Sequence, residues 1–312
     1  MQPSPIVKCP PLRAGDLVGV IAPAGVVDVE RLAVGTAAIE QWGYPTRVGA
    51  HALDRARYFA GDDSNRLSDL QPMLDEAAVR AIIAARGGYG CQRIVPRLNL
   101  TGLHRAPKLV VGYSDVTALL TTIVRSGLPA VHGPMAAADL ARGLSPTAET
   151  HFLRLLTEPA YQWTLPVPTP LRPGRATGRL VGGCLSVLVT LLGTPYAPDT
   201  TDAILFLEDT HEWPYRLDRL LTQARQAGLF DHVAGVVLGT FETCPTHQQV
   251  SALDILRDEF AAAPFPVAFG LHAGHTAAER DIDQMALPLG VRVAFDADAG
   301  TLGCLESPLE DG

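Results

Sequence analysis

The sequence predicts an α/β fold, with a largely parallel sheet in its first half and a smaller α/β portion after it. Three observations carry this expectation. Short apolar runs alternate with helix-period segments from Leu17 to Val124. A proline-rich window then interrupts the pattern before strands and helices resume. The chain has 312 residues, 47% hydrophobic and 19% charged, enough for a buried core in about two domains of roughly 150 residues each.

Each element has a local reason. Leu17-Val18-Gly19-Val20-Ile21-Ala22 reads as a buried strand closed by Pro23 and Gly25. Residues 29–42 follow as a helix, with Leu32, Ile39 and Trp42 on one face and Gly43 at its stop. Ser64 is expected to cap a helix carrying Leu67, Leu70 and Leu74. The second apolar run, 79–85, ends in Arg86-Gly87-Gly88-Tyr89-Gly90. The third, 109–112, breaks at Tyr113-Ser114-Asp115 and leads into an apolar helix over 116–124. Such alternation builds a sheet covered on both faces, whose ligands sit beyond the carboxyl ends of the strands.

Pro159, Pro166, Pro168, Pro170 and Pro173 occupy a window without helical period, read as an extended linker. The expected domains are therefore 1–158 and 176–312, joined by 159–175. Beyond the linker, 178–193 is glycine-rich and apolar, and 203–207 is a strand. Pro214 opens a helix carrying Leu217, Leu220, Leu221 and Ala224. Residues 233–238, 267–269 and 291–295 are further strands.

Charge narrows the function. A net charge of −8 repels phosphate backbones and anionic lipid, so neither nucleic acid nor a membrane surface is an expected partner. Cys9, Cys91, Cys184, Cys244 and Cys304 form no CxxC pair, so neither a zinc knuckle nor a disulfide framework is expected. The N-terminal residues lack an apolar signal region, and the longest mostly apolar stretch, 181–192, is shorter than a membrane span. A cytoplasmic location is expected.

Four places could carry chemistry. Ser114 follows an apolar strand and precedes an apolar helix, a turn that exposes a hydroxyl to helix N–H groups. Val116 stands where G-x-S-x-G needs its second glycine, and Ser114 reads equally well as a helix cap. The glycines at 87, 88 and 90 suit an anion-binding nest or a plain tight turn; a dinucleotide loop lacks its third glycine at Arg93. Glu208 and Asp209 end the strand at 203–207, where α/β enzymes keep catalytic groups but where acids also cap helices. His211-Glu212 lacks the second histidine of a zincin. His272 and His275 could ligate a metal with Asp281 or Asp283, one of them could act as a general base, or both could be surface residues.

Together these segments resemble the LD-carboxypeptidases of murein recycling, a family that includes the microcin C self-immunity peptidases. The resemblance rests on Leu12-Arg13-Ala14-Gly15-Asp16 with Val20-Ile21-Ala22-Pro23, on Arg86-Gly87-Gly88-Tyr89-Gly90, and on Pro107-Lys108 leading to Gly112-Tyr113-Ser114-Asp115-Val116-Thr117. It continues through Gly178-Arg179-Leu180-Val181-Gly182-Gly183, then Leu207-Glu208-Asp209 to Pro214-Tyr215-Arg216-Leu217-Asp218-Arg219. Gly274-His275 before Leu287-Pro288-Leu289-Gly290 completes it.

The resemblance implies a flavodoxin-like N-terminal domain and a smaller C-terminal α/β domain, with the active site between them. It implies a serine hydrolase with Ser114 as nucleophile, His275 as base and Glu208 orienting that base. The backbone of Asp115 and Gly88 would form the oxyanion hole, and Arg86 and Gly87 would contact the substrate. No metal or organic cofactor is implied. The expected substrate is a small peptide, a murein tetrapeptide losing its terminal D-alanine; the alternative is an aminoacyl-sulfamoyl adenylate, and Trp163 and Trp213 do not decide between them. A homodimer is the assembly to test. In a different class, a non-catalytic flavodoxin-like binding protein would use Ser114, Glu208 and His275 only as caps and surface groups. Ala24 stands where many family members have serine after the proline, so that loop offers no hydroxyl.

Overall fold

The computed structural model describes residues 6–276 and 284–311. The chain divides into two compact units, Met1–Tyr161 with Ala286–Pro288 and Ser307–Gly312, and Gln162–Met285 with Leu289–Glu306.

In the first unit the strands are β1 (Leu17–Ile21), β2 (Thr46–Val48), β3 (Val79–Ala84), β4 (Leu109–Gly112) and β5 (Ala130–His132). They pair in parallel in the order β2-β1-β3-β4-β5, the flavodoxin-like order. Strands β4 and β5 are buried throughout, and β3 at all but one position. That continuous burial is what helices on both faces impose on a parallel sheet. It also explains the unbroken apolar runs in the sequence.

Helix boundaries follow their caps. Val29–Gln41 starts after Asp28, whose side chain accepts from the Arg31 amide, and buries Leu32 and Ile39. The helix expected to begin after Ser64 instead spans Asp63–Asp75, with Asp62 as its cap accepting from Asn65 N at 2.8 Å. Both residue types cap well, but the extended backbone at Asp62 places its carboxylate over the first turn. Ser64 then lies inside the helix. At the other end the buried Lys108 ammonium donates to the carbonyls of Met73, Leu74 and Glu76 at 3.1, 3.0 and 2.7 Å, satisfying acceptors that a helix end leaves open.

The second unit is built on a mixed sheet. Its strands are β6 (Thr164–Pro166), β7 (Thr169–Arg172), β8 (Arg175–Cys184), β9 (Ala203–Thr210), β10 (Gly235–Glu242) and β11 (Val267–Phe269). Strand β12 (Leu287–Leu289) joins the edge of the first sheet next to β5, and β13 (Arg292–Asp296) and β14 (Thr301–Cys304) return to the second. The second sheet runs β6-β14-β13-β8-β9-β10-β11-β7, with β8 to β11 parallel and the flanking pairs antiparallel. The proline-rich window is extended and supplies both edges, β6 and β7. Proline donates no ladder hydrogen bond, and an edge strand tolerates that loss. Helix Pro214–Gln226 packs Leu217 and Leu221 inward, with Pro214 in its first turn.

Candidate active site

In the first unit the site grows from the carboxyl ends of β1, β3 and β4. After Gly112 the chain is extended at Tyr113, then turns at Ser114 with φ +61° into the helix Thr117–Arg125. A left-handed serine costs about 1–3 kcal/mol and persists only where its surroundings hold it. Those surroundings are specific. The buried Asp115 carboxylate accepts from the Cys91 amide at 2.8 Å, tying the turn to the end of the glycine loop. Burial raises the Asp115 carboxyl above its ordinary range, opposed by the Cys91 hydrogen bonds and the nearby Arg66 charge.

The glycine loop lies directly against the serine. A Cβ on Gly87 would stand 2.7 Å from Cβ and 2.8 Å from Oγ of Ser114, distances no real side chain occupies. Gly87 is therefore required by close approach. Its carbonyl accepts from Gly25 N at 3.1 Å, linking the loop to the one after β1. The Arg86 guanidinium is exposed and donates to Val26 O at 2.8 Å. Arg66 is buried; it donates to Pro23 O at 2.6 Å and pairs with Asp63.

In the second unit Glu208 lies inside β9, which runs three residues past Leu207 to Thr210. Glu208 is fully buried, and its Oε2 accepts from the His275 amide at 3.0 Å and lies 2.7 Å from His275 Nδ1. A carboxylate only accepts, so Nδ1 carries the proton and Nε2 is the basic nitrogen of the neutral ring. The imidazole keeps 21% of its side-chain surface exposed. Gly274 permits this approach: it has φ +110°, and a Cβ there would meet Glu208 Cγ and Oε2 at 2.6 Å. The Thr240 hydroxyl lies 2.7 Å from His275 O and 3.1 Å from Ala273 O, anchoring the histidine loop to β10.

Residues 18–133 match the model of the LD-carboxypeptidase N-terminal domain, and residues 177–295 match that of the C-terminal domain. The chain belongs to the LD-carboxypeptidase family. The murein tetrapeptide carboxypeptidase of Pseudomonas aeruginosa is 34% identical over 280 residues, covering 84% of this chain and 89% of its own. A crystal structure of muramoyltetrapeptide carboxypeptidase from Oxalobacter formigenes is similar with a TM-score of 0.83 at 30% identity, covering 92% and 97%. The microcin C7 self-immunity protein of Escherichia coli is 26% identical over 345 residues, covering 99% and 98%. Its structure in complex with aspartyl sulfamoyl adenosine has a TM-score of 0.88 at 23% identity, covering 97% and 100%, a likeness of fold.

Family and relatives together make this LD-carboxypeptidase a peptidase. Within the first unit the fold gathers Ser114, Asp115, Arg86, Gly87 and Gly88 around one end of the sheet; within the second it joins Glu208 to His275. Other residues weighed from the sequence have different surroundings. Asp209 accepts from Ser186 N at 2.8 Å and Thr210 N at 2.9 Å, holding the start of helix Leu185–Leu191. Burial, reinforced by the Glu208 charge, has pushed its carboxyl up to about 6. His211 has φ +60°, with Nδ1 2.9 Å from Thr210 Oγ1. His272 is exposed and its carbonyl accepts from Met285 N. Asp281 and Asp283 lie outside the described residues. Among the described residues no group of three or more His, Cys, Asp or Glu could hold a metal ion, and no helix is long and apolar enough to cross a membrane. Sequence reasoning missed Arg66 and Thr240. They act on loops 43 and 35 residues away in sequence, so no local pattern marks either one.

Proposed function

We propose that this family member is a serine carboxypeptidase that releases the terminal D-alanine of murein tetrapeptides. The observation that carries the reading is the Glu208–His275 pair. A fully buried carboxylate holds both the amide and Nδ1 of one half-buried histidine, the arrangement that fixes a general base in one tautomer. His275 Nε2 then takes the proton of Ser114 as Oγ attacks the scissile carbonyl. Asp115 N–H and Gly88 N–H stabilise the tetrahedral oxyanion, each donor being worth on the order of 3 kcal/mol in such sites. Collapse expels D-alanine, which takes the proton from His275. Water, deprotonated by the same base, hydrolyses the acyl-enzyme. Arg86 and the Gly87 backbone receive the substrate's terminal carboxylate.

The murein relatives at 34% and 30% identity favour this substrate over the alternative. The 26% identity to the microcin C7 self-immunity protein keeps an aminoacyl-sulfamoyl adenylate as the second reading. The deciding test compares kcat/KM for a D-alanine-terminated tetrapeptide, its pentapeptide homologue and an aspartyl-sulfamoyl adenylate. The tetrapeptide should be cleaved and the pentapeptide nearly untouched. One extra residue displaces the scissile carbonyl by roughly 3.5 Å, and misplacement by about 1 Å can cost roughly a hundredfold. Cleavage of the adenylate alone would install the second reading. Ser114→Ala should abolish turnover and labelling by a serine-directed fluorophosphonate; retained activity in the folded variant would sink the covalent mechanism. A non-catalytic binding protein would not label at all.

A further inference from the structure

Beside the nucleophile turn the first unit displays an aromatic surface that the proposed chemistry does not use. Tyr58 is 57% and Tyr89 46% exposed. Their ring centroids lie 6.0 Å apart, and both rings lean on the buried Phe59, at 4.4 and 5.7 Å. Exposed tyrosines are common singly; two of them supported by a third, buried ring form a built patch.

The patch is rigid. Ala56 and Phe59 exchange backbone hydrogen bonds at 3.1 Å, leaving Arg57 and Tyr58 as the tip of a two-residue turn. Arg57 takes φ +61° there, a first-position conformation for which glycine is the usual residue. Beneath it, the Arg66 guanidinium lies 4.8 Å and that of Arg93 5.3 Å from the Phe59 ring centre. Asp63 pairs with both arginines. The exposed Arg55 and Arg57 have no carboxylate partner among the described residues, so the patch has a cationic rim in a chain of net charge −8.

Its position assigns it a direction. Tyr89 is two residues from Gly87, which touches Ser114, so its Cα is at most roughly 7 Å from that of Gly87. Tyr58 extends the surface a further 6.0 Å. A carboxypeptidase leaves one residue on the departing side of the scissile bond, about 3.5 Å of chain. That is less than the 6.0 Å between the two ring centroids, so a substrate that covers both rings does so with its acyl side.

We propose that Tyr58 and Tyr89 form a specificity ledge for the acyl-side stem of the substrate, stacking on the residues upstream of the diamino acid while Arg55 and Arg57 face its carboxylate. This rests on the murein-peptide reading above. The test measures kcat/KM for the tetrapeptide and for the diamino acid–D-alanine dipeptide in the wild type, in Tyr58→Ala with Tyr89→Ala, and in Tyr58→Phe with Tyr89→Phe. Fluorophosphonate labelling of Ser114 reports that each variant still assembles its nucleophile. In the alanine pair the tetrapeptide-to-dipeptide ratio should fall about tenfold, the size of the apolar contact the ring faces would make. The phenylalanine pair should restore it, because the ring face and not the hydroxyl makes the contact. Equal loss on both peptides, or an unchanged ratio in an alanine pair that labels normally, overturns the ledge alone. Turnover of neither peptide by the wild type overturns the murein reading, and the acyl-stem assignment with it.

Discussion

Gly87 and Ser114 are so close that any side chain at 87 would strike the serine proposed as nucleophile, its Cβ lying 2.8 Å from Ser114 Oγ. Gly87→Ala should therefore displace either the loop or the serine while leaving the distant core unchanged. A shift of about 1 Å can lower kcat roughly a hundredfold. Steady-state kinetics beside circular dichroism checks this, and a wild-type kcat would show that the loop yields freely.

Glu208→Gln should lower kcat at least a hundredfold, on the scale of general-base loss (about 10²–10⁴), with KM little changed. In the proposed mechanism His275 accepts a proton, and an amide at 208 cannot stabilise the imidazolium so formed. An unchanged kcat would move the orienting role to Asp209 or Glu212.

Under the proposed mechanism Thr240 positions the same histidine, through its hydroxyl 2.7 Å from His275 O. Thr240→Val should cut kcat about tenfold with KM unchanged, on the order of one lost hydrogen bond. Thr240→Ser should recover most of it. A fall in melting temperature with kcat intact would make the contact purely structural.

Asp209 should leave a signature in stability against pH. Its folded carboxyl titrates at about 6 and its unfolded one at 3.8. Between those values the folded chain holds a proton that the unfolded chain has released, so raising the pH across the window removes stability. The stability advantage of wild type over Asp209→Asn should shrink by on the order of 2–3 kcal/mol between pH 4 and 7. Urea titrations at several pH values measure it, and a difference independent of pH would place the carboxyl's titration elsewhere.

Lys108→Met should cost about 2–3 kcal/mol of stability, because the carbonyls of Met73, Leu74 and Glu76 lose a buried donor. Thermal unfolding checks this. A variant as stable as the wild type would mean that water replaces the ammonium.

The parallel core is readable in the sequence because strands buried on both faces must be continuously apolar. β3, β4 and β11 lie within a residue of where the apolar runs place them. β2 (Thr46-Arg47-Val48) and β5 (Ala130-Val131-His132) are no shorter than β11 but carry polar residues, so they leave no such run. The proline-bearing edges β6 and β7 escape notice for another reason: their pairing partners, β14 and β11, lie far along the chain. Local capping chemistry is also ambiguous at one helix start. Ser64 and Asp62 both suit a cap, and only the backbone angles at Asp62 choose between them.

By itself the sequence determined the alternation of strands and helices, the strand-to-helix turn at Ser114 and the glycines beside it, since these follow from apolar periodicity and backbone freedom within a few residues. Tertiary structure alone decided which side chains those loops would meet. It joined Glu208 to His275 across 67 residues, seated Gly87 on Ser114, and turned Asp209 away to hold a helix start. Distant groups meet only when a sheet brings strand ends together, and burial then sets their protonation and partners.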